Sequence, residues 1–180
     1  MVESVGRVFV AVGLPPEVRQ AVSEALERVP VPGRPVHPAD LHLTLRFLGD
    51  VDEVAFDRLL MELDSRDWPG RFPLMLTGLG AFPQPRSATV AWLGVADSPT
   101  LVATQALVED ACDDAGLGRE ERPFRPHVTL ARVRPPADLR MQVASFQPLG
   151  IPFVVSRLVV LRSNLGGAEP RYEPLEFVGL

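Results

Sequence analysis

His42-Leu43-Thr44-Leu45 and His127-Val128-Thr129-Leu130 share one design, a histidine and a threonine two residues apart with aliphatic residues between them. The chain holds three histidines in 180 residues, and two of them fall in this pattern. In a β-strand successive side chains alternate faces. His42 and Thr44 therefore point one way, Leu43, Leu45 and Phe47 the other, and the second copy repeats the arrangement. Each strand would offer an imidazole and a hydroxyl on one face and anchor itself with the opposite face.

Imidazole donates and accepts protons near neutrality, and a threonine hydroxyl can hold an anionic oxygen without adding charge. Two such strands facing each other would set an acid, a base and two donors around one small anion. The bland alternative, two core histidines with satisfied ring nitrogens, leaves the repeated threonine unexplained.

The repetition extends outward from the motifs. Residues 7–13 read as a strand, 15–29 as a helix opened by proline, and 41–48 as the first histidine strand. Residues 88–95 then read as a strand, 99–115 as a helix opening after Ser98 and closing at Gly116, and 127–133 as the second histidine strand. Val10 precedes His42 by 32 residues and Trp92 precedes His127 by 35, a spacing that suggests duplicated halves. Further elements are expected at 52–63 (helix), 72–79 (strand), 136–143 (short helix), 153–162 and 172–178 (strands), with a turn around Gly166-Gly167. The expected class is α+β, a bilobal duplicated fold of two mostly antiparallel sheets facing each other across a central cleft with helices outside. Residues 1–180 form a single domain of two pseudo-symmetric lobes on this reading.

Composition narrows the partners. With 46% hydrophobic and 23% charged residues the chain suits one compact unit with a sizeable core. All eighteen basic residues are arginine, and the net charge is −5. The average field therefore repels a polyanion, and any such site must be a local patch. One stretch qualifies: Arg119, Arg122, Arg125, Arg132 and Arg134 enclose the second motif against only Glu120 and Glu121. The apolar run from Val8 to Leu14 is too short for a membrane span and is no signal peptide, and the lone Cys112, expected as a buried helical thiol, fits a reducing compartment. A cytoplasmic location, no membrane association and a monomer are the expectations.

The segments HLTLRFLG (His42 to Gly49) and RPFRPHVTLAR (Arg122 to Arg132), with the N-terminal RVFVAVGLPPEVR, resemble the two-histidine (2H) phosphoesterase superfamily. Within it they are most similar to the RNA 2',3'-cyclic phosphodiesterases, also called 2'-5' RNA ligases (the LigT or ThpR family). The resemblance implies a bilobal fold, no metal or other cofactor, and hydrolysis of 2',3'-cyclic phosphate ends of RNA to 2'-phosphomonoesters. It also implies roles: His42 as proton donor, His127 as proton acceptor, Thr44 and Thr129 on the phosphoryl oxygens, and Arg132 as the arginine following the second motif.

The chemistry is consistent with a strained cyclic phosphodiester, which needs a water deprotonated on one side and a leaving alkoxide protonated on the other. The residues alone do not say which histidine does which. Strict alternation turns Arg132 away from His127, so its family role requires a bulge, a twist or the strand's end. Arg46, by contrast, shares a face with His42 and Thr44, and both arginines stand as candidates for phosphate or ribose. Phe124, beside Arg125 and the second motif, is a candidate base-stacking surface, with core packing as the other reading; Phe9, Phe47 and Tyr172 are weaker ones. His37 reads as a loop residue, and no histidine has a second ligand at metal-binding spacing. Substrates on this reading are RNA ends or small cyclic nucleotides; the alternatives are an ATP-independent ligase running the same chemistry backwards and a non-catalytic nucleotide-binding module.

Overall fold

The computed structural model describes residues 3–164 and 171–180; the turn expected at Gly166-Gly167 lies outside them. β1 (Ser4–Gly13) leads through α1 (Pro16–Arg28) and the short β2 (Arg34–Pro35) to β3 (His42–Asp52) and α2 (Glu53–Asp64). β4 (Phe72–Phe82), β5 (Ala88–Val95), α3 (Pro99–Asp114) and β6 (His127–Ala137) follow, then α4 (Arg140–Ser145), β7 (Pro152–Val155), β8 (Arg157–Asn164) and β9 (Arg171–Gly179).

The helices begin where their caps dictate. Pro16 opens α1, where an amide hydrogen would have no helical partner, and Val18, Val22 and Ala25 form its buried stripe. The Asp52 carboxylate accepts from the Ala55 amide at 2.8 Å to start α2, and the Ser98 hydroxyl accepts from Leu101 at 3.2 Å to start α3.

The strands pair antiparallel throughout, in the order β7-β4-β5-β6-β3-β1-β8-β9, with β2 added beside β6. The expected pair of sheets is thus two halves of one hydrogen-bonded path. β7, β4, β5 and β6 form one half, and β3, β1, β8 and β9 the other. The halves meet at a single residue pair, Leu43 with Val128, in the middle of the two histidine motifs.

Val8, Val10 and Val12 of β1, Leu43 of β3 and Val128 and Leu130 of β6 are buried in the main core with the helix stripes. Each such side chain contributes about 1.5–3 kcal/mol by leaving water. Phe9 and Ala11, alternate residues of β1, enter a separate small cluster with Val159, Leu161 and Tyr172 on the other face of the sheet. Among the described residues no helix is long and apolar enough to cross a membrane.

Two expectations are corrected. The helix read at 136–143 begins at Arg140, because Pro135 and Pro136 extend β6 to Ala137 and the Asp138 carboxylate accepts from the Arg140 amide at 3.1 Å. The single strand read at 153–162 is two, divided at Ser156: β7 pairs with β4 and β8 with β1, so adjacent strands serve opposite halves.

Candidate active site

The register of the two motif strands is the same. On β3, His42 stands opposite Gly13 and Thr44 opposite Ala11; on β6, His127 stands opposite Gly94 and Thr129 opposite Trp92. Each ladder then slips by one residue immediately after the threonine. Leu45 is passed over between Thr44 and Arg46, and Leu130 between Thr129 and Ala131. A bulge reverses the alternation beyond it.

That reversal settles the two arginines. Past the β6 bulge, Val133 stays in the core while Arg132 and Arg134 turn into the cleft. Past the β3 bulge, Phe47 turns into the cleft and Arg46 turns away from it. Arg46, only 8% exposed, holds Glu109 of α3 at 3.4 Å and Glu120 at 3.6 Å, and donates to the Gly118 carbonyl at 3.1 Å. The expectation that Arg46 shares a face with His42 is therefore corrected. Phe124 packs against the main core and does not line the cleft, so its stacking role is corrected too.

The cleft has a volume of about 700 Å³. His42, Thr44 and Thr129 line it, with Phe9, Phe47 and Tyr172 as its aromatic wall and Arg7, Arg34, Arg132 and Arg134 as its charged groups; among the described residues no acidic side chain lines it. Of the five arginines around the second motif only the last two reach it. Arg119 is paired with Asp110 and Asp113, and Arg122 with Glu120. Arg7 was legible, being two residues before Phe9 on the same strand face; Arg34 was not, because its place depends on β2 docking beside β6. Gly33 permits that docking: its φ is +104°, and a Cβ there would stand 2.4 Å from the Arg132 carbonyl oxygen.

Both imidazoles are held by the same device. His42 Nδ1 lies 2.6 Å from the Asp40 carbonyl oxygen and His127 Nδ1 lies 2.7 Å from that of Arg125, in each case two residues back. A carbonyl only accepts, so Nδ1 carries the hydrogen and Nε2 is the atom left for proton transfer. His42 Nε2 is 3.1 Å from Thr44 Oγ1. Rings pack around each: Phe9 at 4.9 Å and Tyr172 edge-on at 5.0 Å from His42, Phe82 edge-on at 5.2 Å and Trp92 at 6.1 Å from His127. The indole has room because Gly80 lies beneath it; a Cβ there would come within 2.2 Å of the ring.

Burial holds the His42 pKa below the ordinary histidine range. The Asp40 carbonyl and the Asp40 charge oppose the shift, and the nearby His127 reinforces it. His37 is the expected loop residue, its Nδ1 accepting from the Ala39 amide at 3.2 Å. Cys112 is buried, which pushes its thiol up to about 12. Among the described residues no three His, Cys, Asp or Glu side chains are grouped to hold a metal ion.

Comparison with known proteins places these features in a group. Residues 14–167 match the model of the 2'-5' RNA ligase superfamily. An RNA 2',3'-cyclic phosphodiesterase of Methanothermobacter thermautotrophicus is 32% identical over 94% of this chain and 96% of its own. One from Geobacillus stearothermophilus is 32% identical over 93% of this chain, which spans 55% of that protein's length. The crystal structure of Escherichia coli LigT complexed with 3'-AMP superposes with a TM-score of 0.80 at 28% identity, covering 97% of this chain and 98% of that one.

Proposed function

This chain belongs to the 2'-5' RNA ligase superfamily, and on that premise we propose that it hydrolyses RNA 2',3'-cyclic phosphate ends to 2'-phosphomonoesters by two-histidine acid-base catalysis. The observation that carries the reading is the shared pinning of the two imidazoles, each by Nδ1 to the carbonyl two residues back, on strands that meet between the motifs.

In this mechanism His127 Nε2 takes a proton from a water as its oxygen attacks phosphorus. The bond from phosphorus to the ribose 3' oxygen breaks, and His42 Nε2 delivers a proton to that oxygen. Thr44 and Thr129 donate to the non-bridging oxygens, and Arg132, with Arg134 beside it, meets their charge. The depressed pKa of His42 makes its imidazolium a stronger acid, and the anionic phosphate favours formation of that imidazolium in the complex.

The same reading treats the chain as one domain of two pseudo-symmetric lobes, supported by the matching register and bulges of β3 and β6. It acts as a monomer in the cytoplasm, a setting that suits the buried free thiol of Cys112.

The test is an oligonucleotide ending in 2',3'-cyclic phosphate, incubated without metal and with a chelator. Wild type should open the ring, while His42→Ala and His127→Ala should each lose at least a hundredfold in kcat. Turnover within a few-fold of wild type in either variant would overturn the pairing.

A further inference from the structure

The two imidazoles are pinned alike, but the residues that pin them are unlike. Two residues before His127 stands Arg125, an exposed cation; two residues before His42 stands Asp40, an anion only 8% exposed. Matching His-Thr pairs give no reason for one histidine to act as acid and the other as base. A buried charge beside one of them is where the roles can separate.

Asp40 uses both of its polar ends. Its backbone carbonyl oxygen accepts from His42 Nδ1 at 2.6 Å, and its carboxylate holds Arg171, at the start of β9, with Oδ2 3.1 Å from Nε. The next residue of β9, Tyr172, stands edge-on to the His42 ring. Asp40, His42 and Tyr172 together line a second cavity of about 210 Å³. His42 and Tyr172 line the main cleft as well, and Asp40 does not. The carboxylate is thus placed to act on the imidazole without meeting the substrate.

An acid must carry its proton before it can give it up, and burial opposes the charged form of His42. So does His127 of β6, whereas the Asp40 charge favours it. The other titratable or charged groups about the ring are Tyr172, Arg132 on the cleft wall and Arg19 of α1, whose guanidinium donates to the Ala39 carbonyl at 3.1 Å. Among the described residues Asp40 is the one carboxylate that lines either cavity.

We infer that Asp40, tethered by Arg171, is a positioning residue whose carboxylate makes His42 the acid of the pair. This rests on the cyclic phosphodiesterase reading and adds to it what distinguishes two otherwise like histidines. Arg171 has two effects: it fixes the carboxylate, and its own charge weakens the field that the carboxylate exerts at the ring.

The test titrates the His42 ring by NMR in the free enzyme and follows kcat against pH on an oligonucleotide ending in 2',3'-cyclic phosphate. Asp40→Asn keeps the carbonyl pin and removes the charge. The ring's pKa should fall by about one unit, and the alkaline limb of the kcat profile, where the acid loses its proton, should move down with it. Arg171→Gln removes the opposing charge, so both should move up. A tie that only holds the fold would move them the same way in both variants, or in neither. Either result overturns the inference, as does an alkaline limb that fails to follow the ring. The Arg171 side chain is 57% exposed, so if Asp40→Asn does not fold, Arg171→Gln decides alone: a rise supports the inference and no rise overturns it. If wild type turns over no substrate, the hydrolase reading fails, and the NMR titrations still judge the charge pair.

Discussion

Leu43 faces Val128 across the one antiparallel pair that joins β3 to β6. Counting outward from it along the two strands sets His42 across from Thr129 and His127 across from Thr44. Each imidazole thus has a hydroxyl two residues along its own strand and another on the strand beside it. Both aliphatic residues are fully buried, so the spacing of the site depends on how they pack.

Leu43→Ala should therefore cost about 2–5 kcal/mol of stability through the cavity it leaves, read as a lower urea midpoint with an unchanged slope. Its kcat should fall as well, because the histidines lose their common anchor. Full activity in a clearly destabilised variant would show that the pair does not set the site.

Thr44→Val and Thr129→Val keep shape and remove a donor. Each should lower kcat by about a hundredfold, in the range seen when one donor to a developing anion is lost, with little change in the urea midpoint. Steady-state kinetics at saturating substrate checks this; effects confined to KM would assign the hydroxyls to ground-state binding instead.

Arg46 and Arg132 should behave oppositely on substitution by methionine. Arg46→Met leaves the buried carboxylate of Glu109 with its hydrogen bonds from Gln105 and the Glu120 amide but without its cation, and should destabilise the fold by about 3 kcal/mol. Arg132→Met should melt like wild type and lose substrate affinity, measured as a raised KM. The reverse outcome would mean that the bulges do not orient the two side chains as described.

The buried His42 gives a sign to the pH dependence of stability. Its folded pKa lies below the unfolded value near 6.5, so its contribution is intact above pH 6.5. As pH falls below 6.5 the unfolded chain takes up a proton that the folded chain resists, and stability is lost towards the folded pKa. His42→Gln removes this term. Between pH 7 and pH 5 its stability should fall less than that of wild type, and equal falls in parallel urea titrations would refute the burial effect.

The face patterns of the motifs were legible because alternation is a local rule. His42, Thr44 and Thr129 line the cleft as their spacing predicts, and β5 has the limits read for it. Alternation failed at Arg46 and Phe47 because a one-residue slip in the ladder has no signature in HLTLRFLG. The same slip on β6 was anticipated only because the family resemblance required Arg132 to reach the substrate. Phe124 was misread through its neighbours in sequence, whereas its neighbours in space are core residues. The division at Ser156 and the docking of Arg34 depend on partners more than seventy residues away, which no window of sequence contains.

The hand-over at Ser156 also orders events during synthesis. β4 to β7 lie together in the chain, so their half of the sheet can assemble as soon as Val155 leaves the ribosome. β1 and β3 emerge first but wait for β8 and β9, and until then the outer margin of β1 stands open to pairing with other nascent chains. Chaperone demand and inclusion-body formation should accordingly be governed by how quickly the last two strands arrive.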